Sequence, residues 1–320
     1  MTERPDVAAF LAFLNNLPGP RTHEVTPVVA REQFAMMRHV ADVELGTLAV
    51  VRDLVVPSDA GSIPARVFDV RAQREPGPVL VFYHGGGFVI GNLDTHEAFC
   101  AEAARVLDVP VIAIDYRLAP EAPFPAALDD CEVATRWIAS APAELGYTPT
   151  GLVLSGDSAG GAITIVTAMA LRDAPAAVPV LVQAPMYPVV GARSDWASFA
   201  EHGEGKLLTN DTMRWFGEHY AAESGHRRAE PIEFDQAGMP STVLVTAGLD
   251  PLRDQGRAYA GKLIEAGVPV VFREAVGNIH GFATLRKAIP STQRDVAGFL
   301  AAVKSALADA VAALNPKADT

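Results

Sequence analysis

One serine in this chain, which is flanked by small residues, could act as a nucleophile. It lies in residues 156–160 (GDSAG), which follow an apolar run and open the apolar helical pattern of residues 159–172. A sharp turn from strand to helix exposes such a serine hydroxyl above a sheet, and the helix N-terminus favours the negative charge that develops there. The motif therefore predicts Ser158 as the nucleophile of an acyl-transfer reaction.

Three consecutive glycines follow another apolar run, in residues 84–87 (HGGG). Glycine lets the backbone approach a substrate closely, so that amide N–H groups can converge on one developing oxyanion. We predict that the N–H groups of Gly86 and Gly87, together with that of Ala159, form an oxyanion hole. His84 is interpreted as a structural residue that fixes this loop rather than as a catalytic base.

A histidine and an aspartate that follow later strands complete the predicted chemistry. His280 comes just after the last predicted strand, and Asp250 follows the strand predicted at residues 242–247. Loops at the carboxyl ends of parallel strands meet at one edge of a sheet, so Ser158, Asp250 and His280 are expected to form a catalytic triad. His280 would be the general base and Asp250 would orient it. Because Asp250 precedes Pro251, it is also interpreted as a helix N-cap with proline at the first helical position.

A serine triad specifies acyl transfer but does not specify the leaving group. A small-molecule carboxylic ester is the expected substrate, and an amide or a lactone is the alternative for the same three residues. This chemistry needs no metal and no organic cofactor. A binding module on such a scaffold would be expected to have lost the nucleophile or the base, and both are present. A third alternative is a protein without enzymatic activity that acts only by binding partners, and its binding would have to use the acidic surface.

Eight apolar runs predict the strands that position these residues. Most runs from the third onward are separated by helical patterns, and they are almost continuously apolar, which favours a parallel sheet covered by helices on both faces. The first two runs are joined by a short turn and predict an antiparallel edge. The predicted strands are residues 50–56, 65–70, 79–83, 109–115, 152–155, 180–184, 242–247 and 270–273. The main helical patterns are residues 96–107, 128–139, 159–172, 253–266 and 293–314.

Two segments interrupt the alternation of strands and helices and are predicted to form a helical cap. The N-terminal cap segment is residues 1–45 and the inserted cap segment is residues 187–232. They divide the catalytic domain into a first part, residues 46–186, and a second part, residues 233–320. Aromatic side chains of the cap could form the wall of an acyl pocket or serve only to pack the cap. These residues are Phe10, Phe13, Trp196, Phe199 and Trp215.

The composition limits the possible partners and the cellular compartment. The 320 residues carry a formal net charge of −12, which repels phosphate backbones and anionic membrane surfaces. Neither nucleic-acid binding nor membrane association is expected. Cys100 and Cys131 are too few for a disulfide framework and are predicted to be free thiols. The sequence contains no signal-peptide pattern and no run of about 18 apolar residues, so a cytoplasmic location is expected.

Taken together, the motifs resemble the bacterial hormone-sensitive lipase family of esterases, in the subgroup with aspartate before the nucleophile. They are residues 84–88, 115–121, 123–127, 156–161, 250–254 and 280–282. The resemblance covers about residues 45–300. It implies an α/β-hydrolase fold with a mostly parallel eight-stranded sheet, oxyanion donors at Gly86, Gly87 and Ala159, activity on short acyl chains and, often, a homodimer. One departure is Asn278, where many relatives have methionine.

Overall fold

All eight predicted strands are present in a computed structural model, which describes residues 2–314. They are β1 (Val50–Val56), β2 (Ile63–Asp69), β3 (Gly77–Tyr83), β4 (Val111–Ile114), β5 (Pro149–Asp157), β6 (Val180–Met186), β7 (Ser241–Leu249) and β8 (Val270–Ile279). They form one sheet in the order β1-β2-β4-β3-β5-β6-β7-β8. Pairs β1/β2 and β2/β4 are antiparallel and the other pairs are parallel. The prediction of a mostly parallel sheet with an antiparallel edge is confirmed.

Helices cover both faces of this sheet, as predicted. They are α1 (Pro5–Asn16), α2 (Pro27–Ala41), α3 (Glu97–Leu107), α4 (Ala126–Ala139), α5 (Ala159–Asp173), α6 (Ala197–His202), α7 (Asn210–Tyr220), α8 (Arg253–Glu265) and α9 (Thr292–Leu314). Apolar residues of α4, α5 and α8 are buried in one core cluster with the sheet, and those of α3 and α9 are buried in a second cluster. Cys131 lies in the first cluster and Cys100 in the second, and both thiols are free.

The last helix, α9, is strongly apolar. By length and composition alone α9 could cross a membrane, since an 18-residue window within it has a mean hydropathy of 1.6. One such helix is weak evidence for a membrane span, because core helices of globular proteins meet the same criteria. Val296, Phe299, Leu300 and Val303 lie along one stripe of α9 and are buried together with α3 and the sheet. This stripe follows the spacing of an amphipathic helix that covers a sheet.

The two segments that interrupt the sheet are helical and contact each other. Residues before β1 form α1 and α2, and residues between β6 and β7 form α6 and α7. Glu3 pairs with Lys206, and the Asn15 side-chain amide donates to the carbonyl of Gly205 at 3.0 Å. The N-terminal and inserted segments therefore lie side by side, although 190 residues separate Asn15 from Gly205.

A buried ion-pair cluster anchors the end of α2 to the catalytic core. Arg286 is 3% exposed, and its Nε and Nη2 donate to the two carboxylate oxygens of Asp42 at 2.8 Å each. The same guanidinium pairs with Glu102 of α3. A buried charge is tolerated only when it is paired and hydrogen-bonded, so each member of this cluster depends on the others.

Removing Arg286 should therefore be among the most destabilising changes that leave the active site untouched. We expect Arg286→Met to lower the free energy of unfolding by about 3–5 kcal/mol, because it leaves Asp42 buried without its partner. Urea-induced unfolding followed by circular dichroism measures this loss. The matched control is Arg136→Met, which breaks a partly exposed pair with Glu132 in α4 and should cost less than about 1 kcal/mol. Similar losses in the two variants would contradict this account of the cluster.

Candidate active site

Ser158 lies at the sharp turn between β5 and α5, as its motif predicts. Its backbone adopts φ 56° and ψ −117°, a region that residues with a side chain rarely enter. The Ser158 N–H donates to the carbonyl of Met186 at 2.9 Å, which fixes the turn to the end of β6. The side chain is partly exposed and stands above the N-terminus of α5.

A continuous line of hydrogen bonds joins the three residues predicted as the triad. The Oγ atom of Ser158 lies 2.8 Å from Nε2 of His280, and Nδ1 of His280 lies 2.7 Å from Oδ2 of Asp250. Asp250 is fully buried, and its second carboxylate oxygen accepts the N–H of Leu252 at 2.8 Å. This geometry fits an imidazole that donates from Nδ1 to the carboxylate and accepts the proton of Ser158 at Nε2.

The structure corrects one prediction about Asp250. Helix α8 begins at Arg253 with Leu252 as its N-cap, so Asp250 is not an N-cap and Pro251 is not the first helical residue. A short turn formed by Pro251 and Leu252 separates the strand from the helix, and Asp250 caps that turn instead.

Strands β7 and β8 are also longer than predicted. They end at Leu249 and Ile279, whereas the apolar patterns ended at Ala247 and Arg273. Asp250 and His280 therefore follow their strands directly, with no intervening loop residues. Direct attachment to a rigid strand holds both side chains more firmly than a mobile loop would.

The glycine loop after β3 presents free backbone donors. Gly86 and Gly87 have φ values of 122° and 59°, and the Gly86 carbonyl accepts the N–H groups of Val89 and Ile90. Within residues 2–314, the N–H groups of Gly86 and Gly87 have no backbone or side-chain acceptor. Ala159 is the first residue of α5, where helix N–H groups lack intrahelical partners. The three predicted oxyanion donors are thus all available to a ligand.

Asp157, which precedes the nucleophile, ties the glycine loop to the serine turn. It is 4% exposed, and its Oδ1 atom accepts the Gly85 N–H at 2.8 Å and lies 3.1 Å from Nε2 of His96. Burial acts to raise the pKa of Asp157, but the attraction and hydrogen bond of His96, together with the Gly85 amide, outweigh it and lower the pKa. The carboxylate is therefore ionised. The sequence pointed to Asp157 only as a mark of the subgroup.

A buried tyrosine connects Asp157 to the predicted base. The hydroxyl of Tyr187 donates to Oδ2 of Asp157 at 3.4 Å and accepts the N–H of Ala283 at 3.3 Å. Its ring meets the His280 ring edge to face, with centroids 4.8 Å apart. No sequence pattern singles out Tyr187, because a tyrosine after an apolar strand has no signature of its own.

His84 makes contacts that fit the structural role predicted for it. It is 2% exposed, its ring stacks on Tyr116 at 4.2 Å, and its Nδ1 lies 2.8 Å from the carbonyl of Gly85. Burial, followed by the charge of His96, lowers the pKa of His84 to about 3, so its imidazole is neutral at physiological pH.

The inserted segment contacts the glycine loop through Phe216, an aromatic residue that was not among those predicted to form a pocket wall. The ring of Phe216 lies so close to Gly87 that a Cβ on this glycine would be 2.3 Å from it. Trp215 is 8% exposed, and its ring packs against the ring of its neighbour in α7, Phe216. Phe13, predicted either to form part of a pocket wall or to pack the cap, is 64% exposed. The sequence of α7 did not indicate which of two adjacent aromatic residues faces the loop.

The chain is similar to known proteins along most of its length. A family model described as the α/β-hydrolase fold matches residues 80–284. Carboxylesterase NlhH of Mycobacterium tuberculosis is 34% identical over 312 residues, which cover 95% of this chain and 97% of the relative. Ethyl acetate hydrolase of Pseudomonas putida is 34% identical over 297 residues, with coverage of 88% and 92%.

A solved structure also matches along nearly the whole chain. It is an α/β hydrolase enzyme from the metagenome of Lake Arreo in Spain, and it superimposes with a TM-score of 0.90 at 34% identity, covering 95% of this chain and 98% of that chain. Since the family model matches most of the chain and a carboxylesterase aligns along nearly all of it, the chain belongs to the α/β-hydrolase family, among the hormone-sensitive-lipase-like bacterial carboxylesterases.

Proposed function

We propose that this protein is a serine carboxylesterase that hydrolyses short-to-medium acyl esters through an acyl-enzyme. The observation that carries the proposal is the hydrogen-bonded line from Ser158 through His280 to Asp250, with distances of 2.8 and 2.7 Å. Each link is within the range that proton transfer needs. The names of the relatives, carboxylesterase and ethyl acetate hydrolase, support an ester as the substrate.

In the proposed mechanism, Nε2 of His280 takes the proton from Ser158 as its oxygen attacks the ester carbonyl. The N–H groups of Gly86, Gly87 and Ala159 bind the oxyanion, and the imidazolium then protonates the leaving alcohol. Water hydrolyses the acyl-enzyme with the imidazole again acting as base. Asp250 stabilises the imidazolium and keeps the imidazole in the tautomer that accepts a proton at Nε2.

Residues 1–45 and 187–232 are proposed to form the cap over this site. The contact of Phe216 with Gly87 supports this role, because it brings α7 against the oxyanion donors. An aromatic ring in this position would limit the space for the acyl chain. A cytoplasmic location and a homodimer are also proposed. The two free buried thiols support the location, and the family resemblance supports the dimer.

Loss of the nucleophile should remove activity but keep the fold. Ser158→Ala is expected to lower kcat for 4-nitrophenyl butyrate by about four to six orders of magnitude, because the acyl-enzyme can no longer form. The hydroxyl contributes little to packing, so the thermal midpoint should stay near that of the wild type. Turnover close to the wild-type rate would disprove the assignment. A parallel assay with the matching anilide separates esterase from amidase activity.

Asp250 and Asp254 lie four residues apart, one before α8 and one within it, and should behave very differently. Asp254 is occupied elsewhere, since it accepts the N–H of Ser198 at 3.0 Å and the Nε of Arg253 at 2.8 Å. Asp250→Asn favours the wrong tautomer of His280, for which a comparable change costs about 10⁴ in kcat.

Asp254→Asn is the matched control for this substitution. It should leave kcat near the wild-type value and lower the thermal midpoint, because it weakens the link between α6 and α8. Measuring both quantities for both variants decides between the two carboxylates. A large loss of rate in Asp254→Asn, with Asp250→Asn almost unaffected, would show that the acid is misassigned.

The acyl chain should be limited by the inserted segment. We expect 4-nitrophenyl butyrate and hexanoate to be hydrolysed with higher kcat/KM than esters of about twelve or more carbons. Phe216→Ala should raise the relative kcat/KM for the longer chains, because it removes the ring beside Gly87. Phe13→Ala, on an exposed position of α1, serves as the control and should not change the profile. A wild-type preference for long chains would contradict the proposal.

A further inference from the structure

The strand that carries the proposed base is irregular just before it. Ala247 of β7 pairs with Ala275 of β8, and the next pair is Leu249 with Ile279. Between these pairs β7 advances by two residues and β8 by four, so residues 276–278 form a bulge. A bulge bends its strand, re-aims the side chains that follow and leaves backbone groups without ladder partners. The direction of the side chains that follow, at positions 279 and 280, depends on this bulge.

Arg4, at the start of the N-terminal segment, supplies the partners that the bulge lacks. Its Nε donates to the carbonyl of Val276 at 2.8 Å, and its backbone N–H donates to the carbonyl of Gly277 at 3.2 Å. Gly277 has φ 74°, and a Cβ there would lie 2.8 Å from the carbonyl oxygen of Thr2. The absence of a side chain at position 277 therefore lets the N-terminal segment dock against the bulge.

The guanidinium of Arg4 reaches a second partner in the first turn of α9. Its Nη1 and Nη2 donate to the two carboxylate oxygens of Asp295 at 2.6 and 3.0 Å. Such two-pronged contacts are strong and directional. Both side chains are mostly shielded, with 22% and 14% of their surface exposed, so water weakens this pair less than it weakens surface pairs.

Asn278 extends this link to the residue before the proposed base. It is fully buried, and its Nδ2 donates to Asp295 at 2.9 Å and to Oγ1 of Thr292 at 3.2 Å. Its Oδ1 accepts the N–H of Ile279 at 3.0 Å. A methionine at position 278 could make none of these bonds. The polar link therefore depends on the amide of Asn278.

Apolar contacts join the same elements. Val7 and Leu11 of α1 belong to one buried cluster with Leu249 and Ile279. These last two residues end β7 and β8, and they immediately precede the proposed acid and base. The N-terminal segment thus supports both strand ends, with Arg4 on the bulge and α1 beneath the termini.

We propose that Arg4 and Asn278 are positioning residues, and that docking of the N-terminal segment through Arg4, Asp295 and Asn278 sets the bulge that aims His280 at Ser158. This inference rests on the proposed function of His280 as the base. Cap docking and alignment of the base are then coupled, because the same guanidinium serves both.

The test compares Arg4→Met, Asn278→Met and the double variant, with 4-nitrophenyl butyrate as substrate at a temperature well below all thermal midpoints. Each single variant should lower kcat at least about tenfold, within the roughly 10²-fold that a 1 Å misplacement can cost. KM should change less than about twofold, because substrate contacts remain. In the double variant the loss should be smaller than the product of the two single losses, since both residues act through one network.

Two further variants separate positioning from general stability. Arg4→Lys keeps one charged donor towards Asp295 and should recover part of the rate lost in Arg4→Met. Arg52→Met is the matched control, since Arg52 also donates to two backbone carbonyls, those of Glu144 and Leu145. Arg52 lies on β1, at the opposite edge of the sheet from β8. It should leave kcat unchanged even if it lowers the thermal midpoint.

The proposal is overturned if both single variants keep kcat within about twofold of the wild type, or if their losses multiply in the double variant. It is also overturned if only KM changes. Should Arg4→Met fail to fold, Arg4→Lys and Asn278→Met decide by the same criteria. An inactive wild type, or full turnover by His280→Ala, would instead refute the proposed function.

Discussion

A carboxylate buried away from water must find its hydrogen bonds inside the protein, and Asp157 meets this constraint with partners from separate loops. It accepts the Gly85 N–H of the glycine loop, the Tyr187 hydroxyl from the segment after β6, and a bond from His96. The same hydroxyl accepts the N–H of Ala283, in the turn that follows His280. The turn of Ser158, the glycine loop and the segment after β8 are therefore all linked to one ionised group.

Local sequence patterns predicted most of the fold and the residues that meet in the candidate active site. The bounds of β1 match the prediction, and α5 begins at Ala159 as its motif requires. Apolar runs identify buried strands because both faces of a parallel sheet are covered. Ser158, Asp250 and His280 could be selected because each follows such a strand, and parallel strands end at one edge of the sheet.

What the sequence could not predict depends on contacts between distant residues. The end of β8 was missed because residues 274–278 break the apolar pattern, and only the pairing of residues 274, 275 and 279 with β7 extends the strand past the bulge. Phe216 was missed because its neighbour Trp215 has the same chemical character, and only packing distinguishes the two. The N-cap prediction for Asp250 failed because a turn of two residues separates it from α8. No local pattern encodes any of these features.

The role of Asn278 becomes visible only in three dimensions. It is fully buried, and its amide atoms require hydrogen-bond partners that an apolar side chain would not. Asp295 supplies one of them, and it is itself held by Arg4, which is 291 residues away in the chain. The buried amide beside His280 is thus linked through Asp295 to the N-terminal segment. The sequence of the first few residues and the geometry at position 280 are therefore constrained together.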